Sequence, residues 1–164
     1  MRVKLSLLFL LIAPALLGAQ VSRDSLPRDT VAATHGDPQR TTFAPELGVD
    51  LAKMRRLPSG VYVRDIEVGT GATAAPGREV SVGYILYLPD GRELERSEAK
   101  GPQARFKIGD GQAIRGWDTG LRGMRAGGTR LMVVPARLGY GSEGSEKVPP
   151  HSVLVFVISL DSVR

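Results

Sequence analysis

The chain contains no cysteine. That absence excludes disulfide stapling, a thiol nucleophile, thiolate metal ligands and lipid attachment through a lipobox cysteine, so stability must come from a packed core. Histidine is scarce: of the two present, His35 lies in a polar stretch and His151 follows Pro149-Pro150 at the mouth of the last apolar run. A single ordered histidine without a partner motif reads as structural, and no His or carboxylate spacing resembles a metal site. Neither a metal nor a cofactor is therefore expected. Charge of one sign is lacking too. Taking away Arg2 and Lys4 lowers the net charge of +5 to about +3, and no basic run exceeds Arg55-Arg56. Nucleic acid is accordingly not an expected partner. Aromatic residues make up only 5% of the chain, with a single tryptophan, so each ring that is present counts.

The longest apolar stretch is at the front. Arg2 and Lys4 precede a run from Leu7 to Leu11 that continues through Leu16-Leu17-Gly18-Ala19. It is too short and wrongly flanked for a mature membrane helix and reads as a signal peptide over 1–19, giving an exported protein, periplasmic or secreted, with no stable membrane insertion once the leader is removed. Residues 20–42 are rich in Asp, Arg, Thr, Pro and Gly, without apolar periodicity, and are expected to be a flexible tether. In residues 43–57, Pro45 opens a short segment where Leu47, Leu51 and Met54 share a helical face, interrupted by Gly48.

From about residue 58 to 164 the texture is one of short strands. Candidates are Val61 to Val68, Val80 to Leu88, Arg92 to Glu95 after the Pro89-Asp90-Gly91 turn, Ala104 to Ile108, Thr129 to Val134 and Val153 to Leu160. One short helix stands among them, with Ile114, Trp117, Leu121 and Met124 at steps of three and four. Gly109 and Gly111 permit a sharp approach to it and Gly123 a left-handed exit. The expected class is α+β, a curved antiparallel sheet half-wrapped around one short helix. Gly69-Thr70-Gly71-Ala72-Thr73-Ala74 superficially resembles a dinucleotide fingerprint, but Pro76-Gly77 falls where its helix would run, so it reads as a strand-to-strand loop.

Two features remain for function. Trp117 is either a core residue of an amphipathic helix or a ring presented to a ligand. Tyr140, flanked by Gly139 and Gly141, either closes a corner or holds its hydroxyl toward a ligand. With Ala113-Ile114-Arg115-Gly116-Trp117, the run Gly123-Met124-Arg125-Ala126-Gly127-Gly128, the Leu138-Gly139-Tyr140-Gly141 loop and the end Val148-Pro149-Pro150-His151-Ser152-Val153-Leu154-Val155-Phe156, the chain resembles the FKBP-type peptidyl-prolyl isomerases, in order and spacing, over about residues 60–163.

The resemblance implies a shallow proline pocket with Trp117 as its floor. It implies catalytic positions at Tyr84, Glu95, Ile114, Trp117, Tyr140 and Phe156, and substrate-binding positions at Leu94, Phe106, Ala113 and Val148. Ile114 would offer its backbone N–H, and Tyr140 its hydroxyl, to ligand carbonyls. The family's Phe-Asp pair is Leu94-Glu95 here, Ala104 stands where an aromatic is usual, Ala113 replaces a bulkier aliphatic and Lys147 occupies a commonly aliphatic position. The implied partners are proline-containing polypeptides and, weakly, the family's macrolide inhibitors. The implied activity is cofactor-free X–Pro isomerisation in folding of exported proteins, with a proline-binding chaperone module of little turnover as the alternative.

Overall fold

The computed structural model describes residues 36–97 and 103–164. The expected leader, 1–19, and residues 20–35 of the expected tether lie outside them. Seven strands form one antiparallel sheet among the described residues: β1 (Arg55–Arg56), β2 (Tyr62–Glu67), β3 (Glu79–Tyr87), β4 (Glu93–Arg96), β5 (Ala104–Lys107), β6 (Gly128–Val134) and β7 (Leu154–Val163). Their order is β1-β2-β6-β7-β3-β4, and β5 shares the outer edge of β3 with β4. β4 pairs along Ile85 to Tyr87 and β5 along Glu79 to Val82.

Alternation along β6 and β7 gives the sheet two apolar faces. Met132, Val134, Leu154, Phe156, Ile158 and Leu160 point to the face that carries the helix, while Leu131, Val133 and Val155 point to the other. That second face is covered by the segment expected to be helical. It forms two separate 3-10 turns, Pro45–Leu47 and Leu51–Lys53, because Gly48 takes a left-handed conformation between them. Phe43, Leu47, Val49 and Leu51 pack on Met54, Tyr62 and Val133.

The end of the expected tether also belongs to the domain. Asp37 caps a 3-10 turn at Pro38–Arg40, Pro38 is buried, and the Ala136 N–H donates to the Gly36 carbonyl at 3.0 Å. Polar composition concealed this, since the segment is held by backbone pairing and one proline rather than by an apolar stripe.

The helix α1 (Arg115–Gly120) is shorter than its apolar stripe. Leu121 caps it and Met124 is placed by a turn, its N–H donating to the Leu121 carbonyl at 3.0 Å, with Gly123 at φ 78°. Both side chains are nevertheless buried. Six residues cannot sustain a helix alone, so packing must hold it. Gly116 and Gly120 let its backbone lie directly on β6, since a Cβ at either position would run into Val134 or Met132. Arg130, 2% exposed, anchors the far end: Nη1 donates to the Gly120 carbonyl at 2.7 Å while Nε pairs with Asp65 Oδ1 at 2.6 Å. A cation at the carbonyl end of a helix complements its dipole.

Candidate functional site

Between α1 and the concave face of the sheet opens a cleft of about 720 Å³. Trp117 is 7% exposed and forms its floor inside a set of rings. Tyr84 meets the indole edge-on at 5.0 Å between centroids, Phe156 does so at 5.4 Å, and Phe106 lies tilted at 5.6 Å. Tyr84 and Leu86 come from β3, and Phe156 stands opposite Leu86 on β7, so the sheet pleat aims all three at the helix. The walls are completed by Ala104, Ala113 and Ile114.

Hydrogen-bonding groups at this apolar site are few and mostly uncommitted. Among the described residues the Ile114 N–H, the Tyr140 hydroxyl and the Trp117 Nε1–H have no partner. The Ile114 carbonyl, by contrast, accepts from Trp117 N–H at 2.9 Å and starts the helix. Tyr140 is 37% exposed, and its loop is fixed by backbone bonds, Gly141 N–H to the Ala136 carbonyl and His151 N–H to the Gly141 carbonyl, each at 2.8 Å. The Tyr84 hydroxyl donates to Glu95 Oε1 at 2.8 Å, and Lys147 Nζ stands 4.0 Å from Glu95 Oε2. Burial, then the bond and charge of Glu95, push the Tyr84 phenol up to about 12. Burial and the Glu95 charge raise Tyr140 as well. Both phenols are therefore neutral donors at physiological pH.

Tyr84, Glu95, Ile114, Trp117, Tyr140 and Phe156 all line this cleft, together with Phe106 and Ala113. Leu94 and Val148 do not. Leu94 is the unpaired residue of a β-bulge, between Glu93 opposite Tyr87 and Glu95 opposite Leu86, and it packs on the core beside the cleft. Val148 is drawn into the core by a tight turn in which its carbonyl accepts from Ser145 N–H at 2.8 Å. Leu86, Arg105 and Gln112 also line the cleft without having been singled out from sequence. The alternation of β3 would have found Leu86, two residues from Tyr84. Among the described residues no group of three or more His, Cys, Asp or Glu side chains could hold a metal ion.

Comparison with known proteins agrees with this geometry. The family described as FKBP-type peptidyl-prolyl cis-trans isomerase matches residues 71–161. The FK506-binding protein of Neisseria meningitidis serogroup B is 36% identical over 102 residues, covering 62% of this chain and 94% of that protein. FK506-binding protein 4 of Rhizopus delemar is 37% identical over 113 residues, covering 68% of this chain, which spans only 29% of that longer relative. The crystal structure of a peptidyl-prolyl cis-trans isomerase from Pseudomonas syringae pv. tomato superposes with a TM-score of 0.60 at 30% identity, over 67% of this chain and 80% of that one.

Proposed function

The chain belongs to the FKBP-type peptidyl-prolyl cis-trans isomerase family, and from that premise we propose that it accelerates X–Pro isomerisation during the folding of exported polypeptides. The observation that carries this reading is the ring-floored cleft in which two donors, the Ile114 N–H and the Tyr140 hydroxyl, are unpartnered among the described residues.

Resonance keeps the peptide bond planar behind a barrier of roughly 18–20 kcal/mol, and uncatalysed X–Pro exchange takes about tens to hundreds of seconds. Twisting the bond removes conjugation and with it charge separation. An apolar floor at Trp117, Tyr84 and Phe156 therefore disfavours the planar ground state more than the twisted one. The Ile114 N–H and the Tyr140 hydroxyl hold flanking carbonyls while the X–Pro bond turns. Each tenfold in rate requires only about 1.4 kcal/mol, so these contacts suffice without proton transfer. Export rests on the sequence of the front segment, with its basic start and small residues at Gly18-Ala19. Sequencing the amino terminus of the mature protein from fractionated cells checks it.

The deciding experiment adds sub-stoichiometric protein to a client whose refolding is limited by proline. A faster slow phase is expected, and Trp117→Leu lowers that acceleration by about tenfold or more. A second reading, a proline-binding chaperone module with little turnover, is favoured by the missing ring at Ala104 and by the commitment of Glu95 to Tyr84. Acceleration only at stoichiometric amounts would select it.

A further inference from the structure

A second cleft, of about 620 Å³, carries opposite chemistry. Arg56, Arg115, Arg137 and His151 face it, with Asp37 as the carboxylate on its lining. Among the described residues none of the three guanidiniums forms an ion pair. They are instead oriented by neutral groups: Arg115 Nη2 donates to the Arg137 carbonyl at 2.8 Å, Arg137 Nη2 donates to the Ser59 carbonyl, and the Arg56 guanidinium lies 5.9 Å from the Tyr62 ring centre. The Asp37 carboxylate is occupied as a cap, accepting from Gln39 N–H at 3.0 Å. Three forks with most of their donors unspent remain, in a geometry suited to carboxylates.

The position of this cleft decides what would reach it. Ile114 and Tyr140 line the proline cleft, and the residues that follow each of them, Arg115 and Gly141, line the basic one. A chain seated at Ile114 and Tyr140 advances about 3.3–3.6 Å per extended residue, so positions a few residues from its proline are within reach of the loops that carry both linings. We propose that the basic cleft is a subsite for acidic side chains flanking the proline of a bound polypeptide. This rests on the isomerase reading and makes that site charge-selective.

The test uses a series of peptides with Glu, Gln or Lys placed in turn at each position flanking an Ala-Pro bond, assayed for kcat/KM and titrated by calorimetry. At one or more positions Glu exceeds Lys by about two- to fivefold at low salt, the range that exposed ion pairs support. The preference collapses near 1 M salt, where the screening length is about 3 Å. Arg56→Gln and Arg137→Gln each bring the Glu-to-Lys ratio toward one. Because the ratio is taken within each variant, a general loss of folded protein does not alter it, and Arg56 has only its ring contact to lose. Equal values for Glu and Lys at every position, or a ratio unchanged in both variants, would overturn the subsite and leave the isomerase reading intact. Absence of turnover on every peptide would instead remove the isomerase reading, and the titrations would still report whether acidic peptides bind preferentially.

Discussion

Glu95 accepts a hydrogen bond from the Tyr84 hydroxyl at 2.8 Å, which ties β4 to β3 at the edge of the ring-lined cleft. The backbone repeats the tie nearby, where Ser97 N–H donates to the Tyr84 carbonyl at 2.9 Å and Tyr84 N–H to Ser97 Oγ at 2.8 Å. Glu95 thus acts first on the protein itself, holding one aromatic wall at its place against Trp117. A carboxylate in that position also favours the neutral phenol, since removing the proton would set two negative charges against each other.

The raised phenol has a consequence for stability. In the unfolded chain Tyr84 titrates near its usual value of 10.0, whereas in the fold it holds its proton to about 12. Its stabilising contribution is complete below pH 10 and is lost as pH rises from there through 12, because the unfolded state releases the proton first. Urea midpoints measured between pH 8 and about 11.5 are expected to fall at the alkaline end, with a smaller fall for Tyr84→Phe. Tyr140, raised in the same direction, leaves part of the slope in that variant. Identical slopes in both proteins would show that Tyr84 does not hold its proton in this way.

Much of this arrangement could be read from residue order alone, and the exceptions have identifiable causes. The strands and the buried stripe of Trp117, Leu121 and Met124 follow from periodicity, which reports which side chains face inward whether a helix or a turn delivers them. The early end of α1 does not follow, because it is set at Leu121 and the Gly123 turn. Leu94 and Glu95 are neighbours on a strand, and only the cross-strand pairing reveals the bulge that keeps Leu94 out of the cleft. Val148 looks like one more apolar wall residue until the Ser145 turn folds it inward. The cover on the second sheet face was legible only in part: Leu47, Leu51 and Met54 form a readable apolar face, but Phe43 and Val49 fit no single period when two 3-10 turns carry the segment.

Gly116 and Gly120 separate two outcomes of the same substitution. Alanine gains up to about 1 kcal/mol of helix propensity at either position. At Gly116 the new methyl meets the branched Val134 side chain, which cannot swing aside, and Gly116→Ala is expected to cost about 1–3 kcal/mol. At Gly120 the obstacle is the end of the flexible Met132 side chain, so Gly120→Ala should cost less. Chemical denaturation of both variants measures this, and an equal or reversed order would refute the close approach of helix to β6.

The wall of the cleft is thin at Ala104, which pairs with Val82 at the edge of the sheet and lines the cleft where Leu94 does not. Ala104→Phe alone should therefore tighten binding of a macrolide inhibitor of the family by about 1–3 kcal/mol, the scale for burying such a ring. Leu94→Phe should add little, since its side chain packs on the core beside the site. Calorimetric titration of the parent and the two single variants distinguishes them; a larger gain from Leu94→Phe would contradict the bulge.

β7, the strand nearest the end of the sequence, lies in the middle of the sheet, paired with β6 along one edge and with β3 along the other. As the chain emerges from the ribosome or crosses a membrane amino end first, β2 with β6 and β3 with β4 can meet only as two unjoined pieces, each with a bare edge where β7 belongs. The ring-lined cleft, which needs Phe156, cannot exist until that strand arrives and closes both gaps. Such distant pairings are slow to form, so any β2-β6 or β3-β4 pair that forms before β7 joins keeps an open edge exposed to mispairing.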